Sequence, residues 1–183
     1  CQGLLNMKCF VELECNYLDQ IQKELMTVIW KNVDIGETNG WHFLERQSLA
    51  KAPSVIQLFK GLRLAVQDFS ITVLRDNLNL HIDAMPQVAK INIPVSNTQG
   101  WSNVWYSVTD EQLQSCPLVT VHGSTHEDVS DLDLLEIDRI DNLDKIIVFN
   151  SRIPHSVNMC TPLVFPRIVA SFTFINQPLE LLQ

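Results

Sequence analysis

His81 and Asp83 stand two residues apart in a run of strand-forming residues from Leu78 to Asp83. A strand sends alternate side chains to one face, so the imidazole and the carboxylate point together while Ile82 points the other way. A third donor joins them if His155, which follows the apolar run Lys145 to Phe149 and the turn Asn150 to Pro154, is brought alongside by antiparallel pairing. Two imidazoles and one carboxylate on one face of an octahedral ion leave three positions open. That arrangement suits iron(II) when it must accept both a chelating organic ligand and dioxygen. Taken alone, the HxD pair reads equally as a histidine hydrogen-bonded to an aspartate; the distal histidine and the residues around it favour a metal site.

Other spacings carry less. His122 and His126 are four apart, as zinc ligands on a helix would be. The intervening Gly123, Ser124 and Thr125 are poor helix formers, however, and no glutamate follows His122. Cys160 lies five residues beyond His155, but a Cys–His nucleophile pair is matched in space and not along the chain. Trp101, Trp105 and Tyr106 read first as core aromatics of a strand and second as the wall of a substrate pocket.

The elements that must position these residues divide the chain in two. Leu18, Ile21, Leu25 and Ile29 recur at helical steps between Asn16 and Lys31, with Asp19, Gln20, Lys23 and Glu24 between them. A second helix is expected to start at Pro53 and to run through Val55, Ile56, Phe59, Leu62 and Val66. After Phe69 the texture becomes β-branched and aromatic. Strands are expected at Ser70 to Leu74, Leu78 to Asp83, Val88 to Val95, Asn103 to Val108 and Leu118 to His122. Four more follow at Leu134 to Ile140, Lys145 to Phe149, His155 to Met159 and Arg167 to Ile175. Turn residues at Asn77, Asn97 to Gly100, Gly123, Asn142 and Pro162 separate them. This is the spacing of an antiparallel β-sandwich or barrel, without the strand–helix alternation of a parallel sheet. The chain therefore reads as one unit over 1–183, a helical front over 1–68 and a jelly-roll core over 69–176. The acidic stretch from Glu127 to Asp144 reads as a solvated loop and an edge strand, because charge blunts exposed strand edges.

The ordered series LHID at 80–83, INIPVSN at 91–97, IIVFNSRIPHSV at 146–157 and PRIVASFTF at 166–174 resembles the iron(II)- and 2-oxoglutarate-dependent oxygenases. The similarity is to their small bacterial and phage-type members, akin to phytanoyl and prolyl hydroxylases, and it covers roughly residues 70 to 176. It implies a mainly β, cupin-like double-stranded β-helix with flanking helices. It also implies Fe(II) on His81, Asp83 and His155, with Arg167, twelve residues beyond the distal histidine, on the far carboxylate of the cosubstrate 2-oxoglutarate. Arg167 suits that role physically, since a planar guanidinium makes two parallel charge-assisted bonds to a carboxylate. Many members carry a hydroxyl residue two positions after the arginine; here that residue is Val169, and the first hydroxyl on the same strand face is Ser171. Ser171 and Asn92 are the candidates for further cosubstrate contacts.

Composition narrows the function classes. A net charge of -8 opposes nucleic-acid binding, which needs clustered Lys and Arg, and points to a neutral or basic substrate or simply to solubility. No stretch reaches the roughly 18 consecutive apolar residues of a membrane span. The 5 cysteines include no CxxC pair, so buried free thiols in a reducing compartment are expected. No basic segment followed by an apolar one opens the chain, and a cytoplasmic setting is expected. The expected activity is hydroxylation of a C–H bond in a small molecule or a side chain. The alternative is a cupin-like module that keeps a metal or ligand pocket without turnover, and Arg167 separates the two, because an inert module has no use for a carboxylate clamp beside a metal.

Overall fold

The computed structural model describes residues 8–83, 86–113, 117–121, 124–129, 132–161 and 165–183. Cys1, Cys116, His122, Gly123 and Pro162 therefore lie outside the described residues. Strands β1 (Phe10–Leu13), β2 (Gly40–Leu44), β3 (Val66–Leu74), β5 (Ala89–Ser96), β10 (Ile146–Asn150) and β12 (Arg167–Phe174) form one sheet, in the order β1-β10-β5-β12-β3-β2. Strands β4 (Leu78–Asp83), β6 (Trp101–Tyr106), β7 (Leu118–Val121), β8 (Ser124–Asp128), β9 (Glu136–Asp141) and β11 (His155–Met159) form the second, in the order β7-β8-β4-β11-β6-β9. All pairings are antiparallel. The fold is a mainly β jelly roll of two sheets with flanking helices.

Helix α1 (Leu18–Asn32) buries Ile21, Leu25 and Ile29, as its periodicity predicts, together with Val28, while Leu18 at its start is half-buried. Helix α2 (Pro53–Gly61) opens on Pro53 and buries Val55, Leu58 and Phe59. It stops well short of Val66: Arg63 takes a left-handed φ of 56°, and Val66 already belongs to β3. The helical front thus also contains β1 and β2, the two edge strands of the first sheet. β8 was not foreseen, and β6 runs over Trp101–Tyr106, two residues earlier than its pattern indicated. The acidic strand β9 is an edge strand, as its charge requires.

The largest apolar cluster does not lie between the sheets. It joins α1 and α2 to the outer side of the first sheet, through Phe69, Ile71 and Val73 of β3, Ile91 and Ile93 of β5, Ile146 and Val148 of β10, and Ile168, Ala170, Phe172 and Phe174 of β12. Phe172 stacks on Phe69 and meets Phe59 of α2 edge-on, with ring centroids 4.8 Å apart in both pairs. Two smaller clusters, one around Trp105, Phe149 and Ile153 and one of Leu74, Trp101 and Val157, hold the sheets together. The inner side of the first sheet faces a cavity of about 800 Å³, counted with the part open to solvent.

The cysteines divide: Cys9 is buried, as expected of a small apolar side chain, Cys15 is half-buried and Cys160 is exposed. For Cys160 the expectation of burial is corrected. It lies just past β11, where the sheet ends and solvent begins.

Candidate functional site

β4 delivers His81 and Asp83 to the cavity, and β11 runs antiparallel beside it with His155 opposite His81. The turn between β10 and β11 sets that register. The Asn150 side-chain oxygen accepts from the Arg152 amide at 3.0 Å, an Asx turn, and Pro154 then enters the strand. The same turn grips β4: the Asp83 amide donates to the Ser151 carbonyl at 3.1 Å, and the Arg152 guanidinium donates to the Asp83 carbonyl at 2.5 Å.

One ligand atom from each of His81, Asp83 and His155 falls within 4.8 Å of the others, and all three residues are buried. The imidazole centroids are 4.4 Å apart, and His155 Nε2 is 3.9 Å from Asp83 Oδ2. His81 Nδ1 lies 2.7 Å from the Asn79 carbonyl, and His155 Nδ1 lies 2.9 Å from the Ile153 carbonyl. A carbonyl only accepts, so each Nδ1 carries a proton, and in the neutral ring Nε2 is then the atom with a lone pair to offer. Histidines that bind metals are commonly oriented in this way, by a backbone carbonyl on the other ring nitrogen. Two imidazoles and a carboxylate form a donor set that fits a divalent first-row metal.

Arg167 opens β12 on the same cavity wall and is only 2% exposed. Burial pulls its guanidinium down to about 10, which leaves it a cation at neutral pH. Its Nη2 donates to Asn103 Oδ1 on β6 at 3.0 Å. No carboxylate pairs with it among the described residues. Arg167 Nε, Asn103 Nδ2 and Trp105 Nε1 are buried N–H groups without hydrogen-bond partners among the described residues, and all three residues line the cavity. A buried cation among unsatisfied donors is costly unless an acidic ligand completes it. The pattern fits the carboxylate of an organic acid.

Ser171 and Asn92 also face the cavity, paired across β12 and β5, with Ser171 Oγ donating to Asn92 Oδ1 at 2.7 Å. Ser171 is four residues from Arg167, roughly 13 Å along the strand. The structure brings these two residues to each other and not to Arg167. His126 is in β8 with its Cα opposite that of Asp83.

The cavity residues that escaped the motif reading include Lys90, Asn103, Trp41 and Phe43. Lys90 was legible, since it stands two residues before Asn92 on one strand and therefore on one face. Asn103 meets Arg167 only across the gap between sheets, which no local pattern reports. Trp41 and Phe43 alternate on β2, and Trp41 approaches the His81 ring edge-on at 6.2 Å.

No family model matches the chain, and no curated protein matches it. Among solved structures it is similar to SnoK, a non-haem α-ketoglutarate-dependent carbocyclase from nogalamycin biosynthesis. The TM-score is 0.58 at 12% identity, over 94% of this chain and 81% of that one. EvdMO1 aligns with a TM-score of 0.52 at 12% identity, over 95% of this chain and 49% of that one. A prolyl-4-hydroxylase from Pseudomonas putida aligns at 14% identity over 94% of this chain and 95% of that one, with a TM-score of 0.46. At such identities the likeness establishes the fold alone, a two-sheet jelly roll shared with SnoK. No described helix is long and apolar enough to cross a membrane.

Proposed function

We propose that this chain is an Fe(II)- and 2-oxoglutarate-dependent oxygenase that hydroxylates a C–H bond of a small molecule or a side chain. The observation that carries the reading is the pairing, in one cavity, of a His–Asp–His cluster with a buried arginine that has no anionic partner among the described residues. A cupin-like module without turnover would account for the cluster but not for the arginine.

His81 and His155 would offer Nε2 and Asp83 a carboxylate oxygen to the metal. Arg167, supported by Asn103, would take the distal carboxylate of 2-oxoglutarate; Ile168 and Ala170 on the far side of β12 keep its backbone dry. Asn92 would present its amide N–H₂ to the cosubstrate, its oxygen being taken by Ser171. Iron(II) held there with 2-oxoglutarate would supply activation of dioxygen, one oxygen atom going into the substrate C–H bond and the other into the cosubstrate as it becomes succinate and carbon dioxide. The chain itself fixes the orientation of both groups and excludes water from them, and Trp41 and Phe43 give the substrate an aromatic lip.

The test is calorimetric titration of 2-oxoglutarate into the metal-loaded protein without oxygen, with Arg167→Ala beside the wild type. Loss of the cation leaves a poorly solvated carboxylate, at a cost of about 3 to 5 kcal/mol, or roughly two to four decades in affinity. Arg167→Lys should restore part of it, because a point charge cannot reproduce the fork. Equal titration of wild type and Arg167→Ala, or no heat from the wild type, would remove the reading's main support in favour of the inert module.

A further inference from the structure

Lys90 lies on β5, on the wall opposite the His–Asp–His cluster, and reaches across the cavity so that its Nζ is 2.8 Å from Asp83 Oδ2. The lysine side chain is 19% exposed and that of Asp83 8%, so the pair is largely withdrawn from water. The oxygen it meets is the one 3.9 Å from His155 Nε2, on the side of the carboxylate that a shared ion would use. An ammonium group and a divalent ion cannot both sit comfortably on one buried carboxylate oxygen, because they compete for its lone pairs and repel each other.

A second carboxylate stands in the same row of the sheet. Phe172 pairs with Ile91, and continuing that register by one residue sets Thr173 beside Lys90. Thr173 pairs in turn with Asp68 of β3, and Thr173 Oγ1 donates to Asp68 Oδ2 at 3.1 Å. Asp68, Thr173 and Lys90 all line the cavity. With strands about 4.8 Å apart, Asp68 is two strands from Lys90, within the combined reach of the two side chains.

Resting on the metal-site reading above, we propose that Lys90 is an exchangeable counter-ion: it neutralises Asp83 in the metal-free site, and metal entry transfers its ammonium to the Asp68 side of the cavity. Lys90 is on this account a positioning residue. Before metal binds it keeps the site assembled and lowers the site's affinity for metal, while Asp68 assists loading by receiving the displaced cation.

The test uses Mn(II) alone, titrated calorimetrically into metal-free wild type, Lys90→Met, Lys90→Arg, Asp68→Asn and the Lys90→Met/Asp68→Asn double variant, with thermal denaturation of each metal-free protein. Lys90→Met should bind Mn(II) about tenfold or more tightly while its metal-free form melts below wild type, because the ion pair of Asp83 with Lys90 is gone. A purely structural lysine would lower both. Lys90→Arg keeps a cation and should bind Mn(II) near the wild-type level. Asp68→Asn should weaken binding several-fold, and in the double variant that effect should vanish, since no displaced cation remains to be received. Mn(II) binding in Lys90→Met that is equal to or weaker than wild type overturns the proposal and leaves the metal site standing. If Lys90→Met does not fold, Asp68→Asn decides: weakened binding supports the exchange and unchanged binding overturns it. If wild-type protein takes up no Mn(II), the metal-site reading falls and the exchange falls with it.

Discussion

Along β12 the residues alternate between two environments that lie a few ångströms apart. Ile168, Ala170, Phe172 and Phe174 face the helices and belong to the main apolar cluster, whereas Arg167, Val169, Ser171 and Thr173 face the cavity. β3 repeats the division, with Phe69, Ile71 and Val73 on one side and Asp68, Ser70 and Thr72 on the other. One side supplies burial of apolar surface, which stabilises the fold without direction. The other supplies directional groups, several of them buried without a full set of partners. The lesson is a division of labour by strand period: the helices that cover the outer face free the inner face from holding the domain together, so it can carry charge.

That division can be broken from either side. The largest effect is expected at the cavity, where His155→Ala should reduce metal affinity by more than the roughly 10–100-fold that losing a supporting residue costs. Its effect on stability should stay near about 1 kcal/mol, the scale of one lost hydrogen bond, here that to the Ile153 carbonyl. Titration of iron(II) under nitrogen, alongside urea unfolding, reads both quantities. Full metal affinity in the variant would remove His155 from the site. On the opposite face of the first sheet, Phe172→Ala deletes a ring that is 0% exposed and packed on Phe59 and Phe69. It should cost about 3 to 5 kcal/mol. The fraction that remains folded should bind metal as the wild type does; a matching loss of affinity would show that the two faces are coupled.

Much of this was legible from the chain. The same-face placement of His81 and Asp83 follows from period two, and the paired His155 follows from the turn chemistry of Asn150 to Pro154. The edge character of β9 follows from its charge. Two strands inside the helical front were not legible. β1 is only 4 residues long, and β2, GWHFL, points Trp41 and Phe43 into a half-open cavity, so neither shows the apolar stripe that marks a buried strand. The end of α2 was missed because the hydrophobic residues Leu62, Leu64 and Val66 continue past it; the break comes from the backbone at Arg63. Contacts between sheets, such as Arg167 with Asn103 and Lys90 with Asp83, depend on the spacing of two walls and leave no trace in local pattern.

The smallest expected effect sharpens the comparison from the helix side, where one polar contact works in an apolar layer. α2 begins at Pro53 after Ala52, which has no side chain able to cap it. Glu24 of α1 takes that role from a distance: Oε2 accepts from the Ser54 amide at 2.8 Å and Oε1 from the Ser54 hydroxyl at 2.8 Å, with Gln20 donating to Oε1 at 3.0 Å. Burial alone would raise the Glu24 carboxyl, but the bonds from Ser54 and Gln20 outweigh it and hold the group below its ordinary value of 4.5. A carboxylate depressed in the folded state stabilises it fully above the unfolded value, and that stability disappears as pH falls through the folded value. Glu24→Ala should therefore cost about 1 kcal/mol at pH 7, the usual worth of a helix cap, and lower the melting temperature by about 2–4 °C. Acidification below the depressed value should bring the two unfolding curves together. Because the hydrogen bonds of Glu24 go to Gln20 of α1 and Ser54 of α2, and it does not line the cavity, metal and 2-oxoglutarate titrations of the variant should match wild type. A stability gap that persists in acid would mean that packing of the side chain, and not its charge, holds α2 against α1.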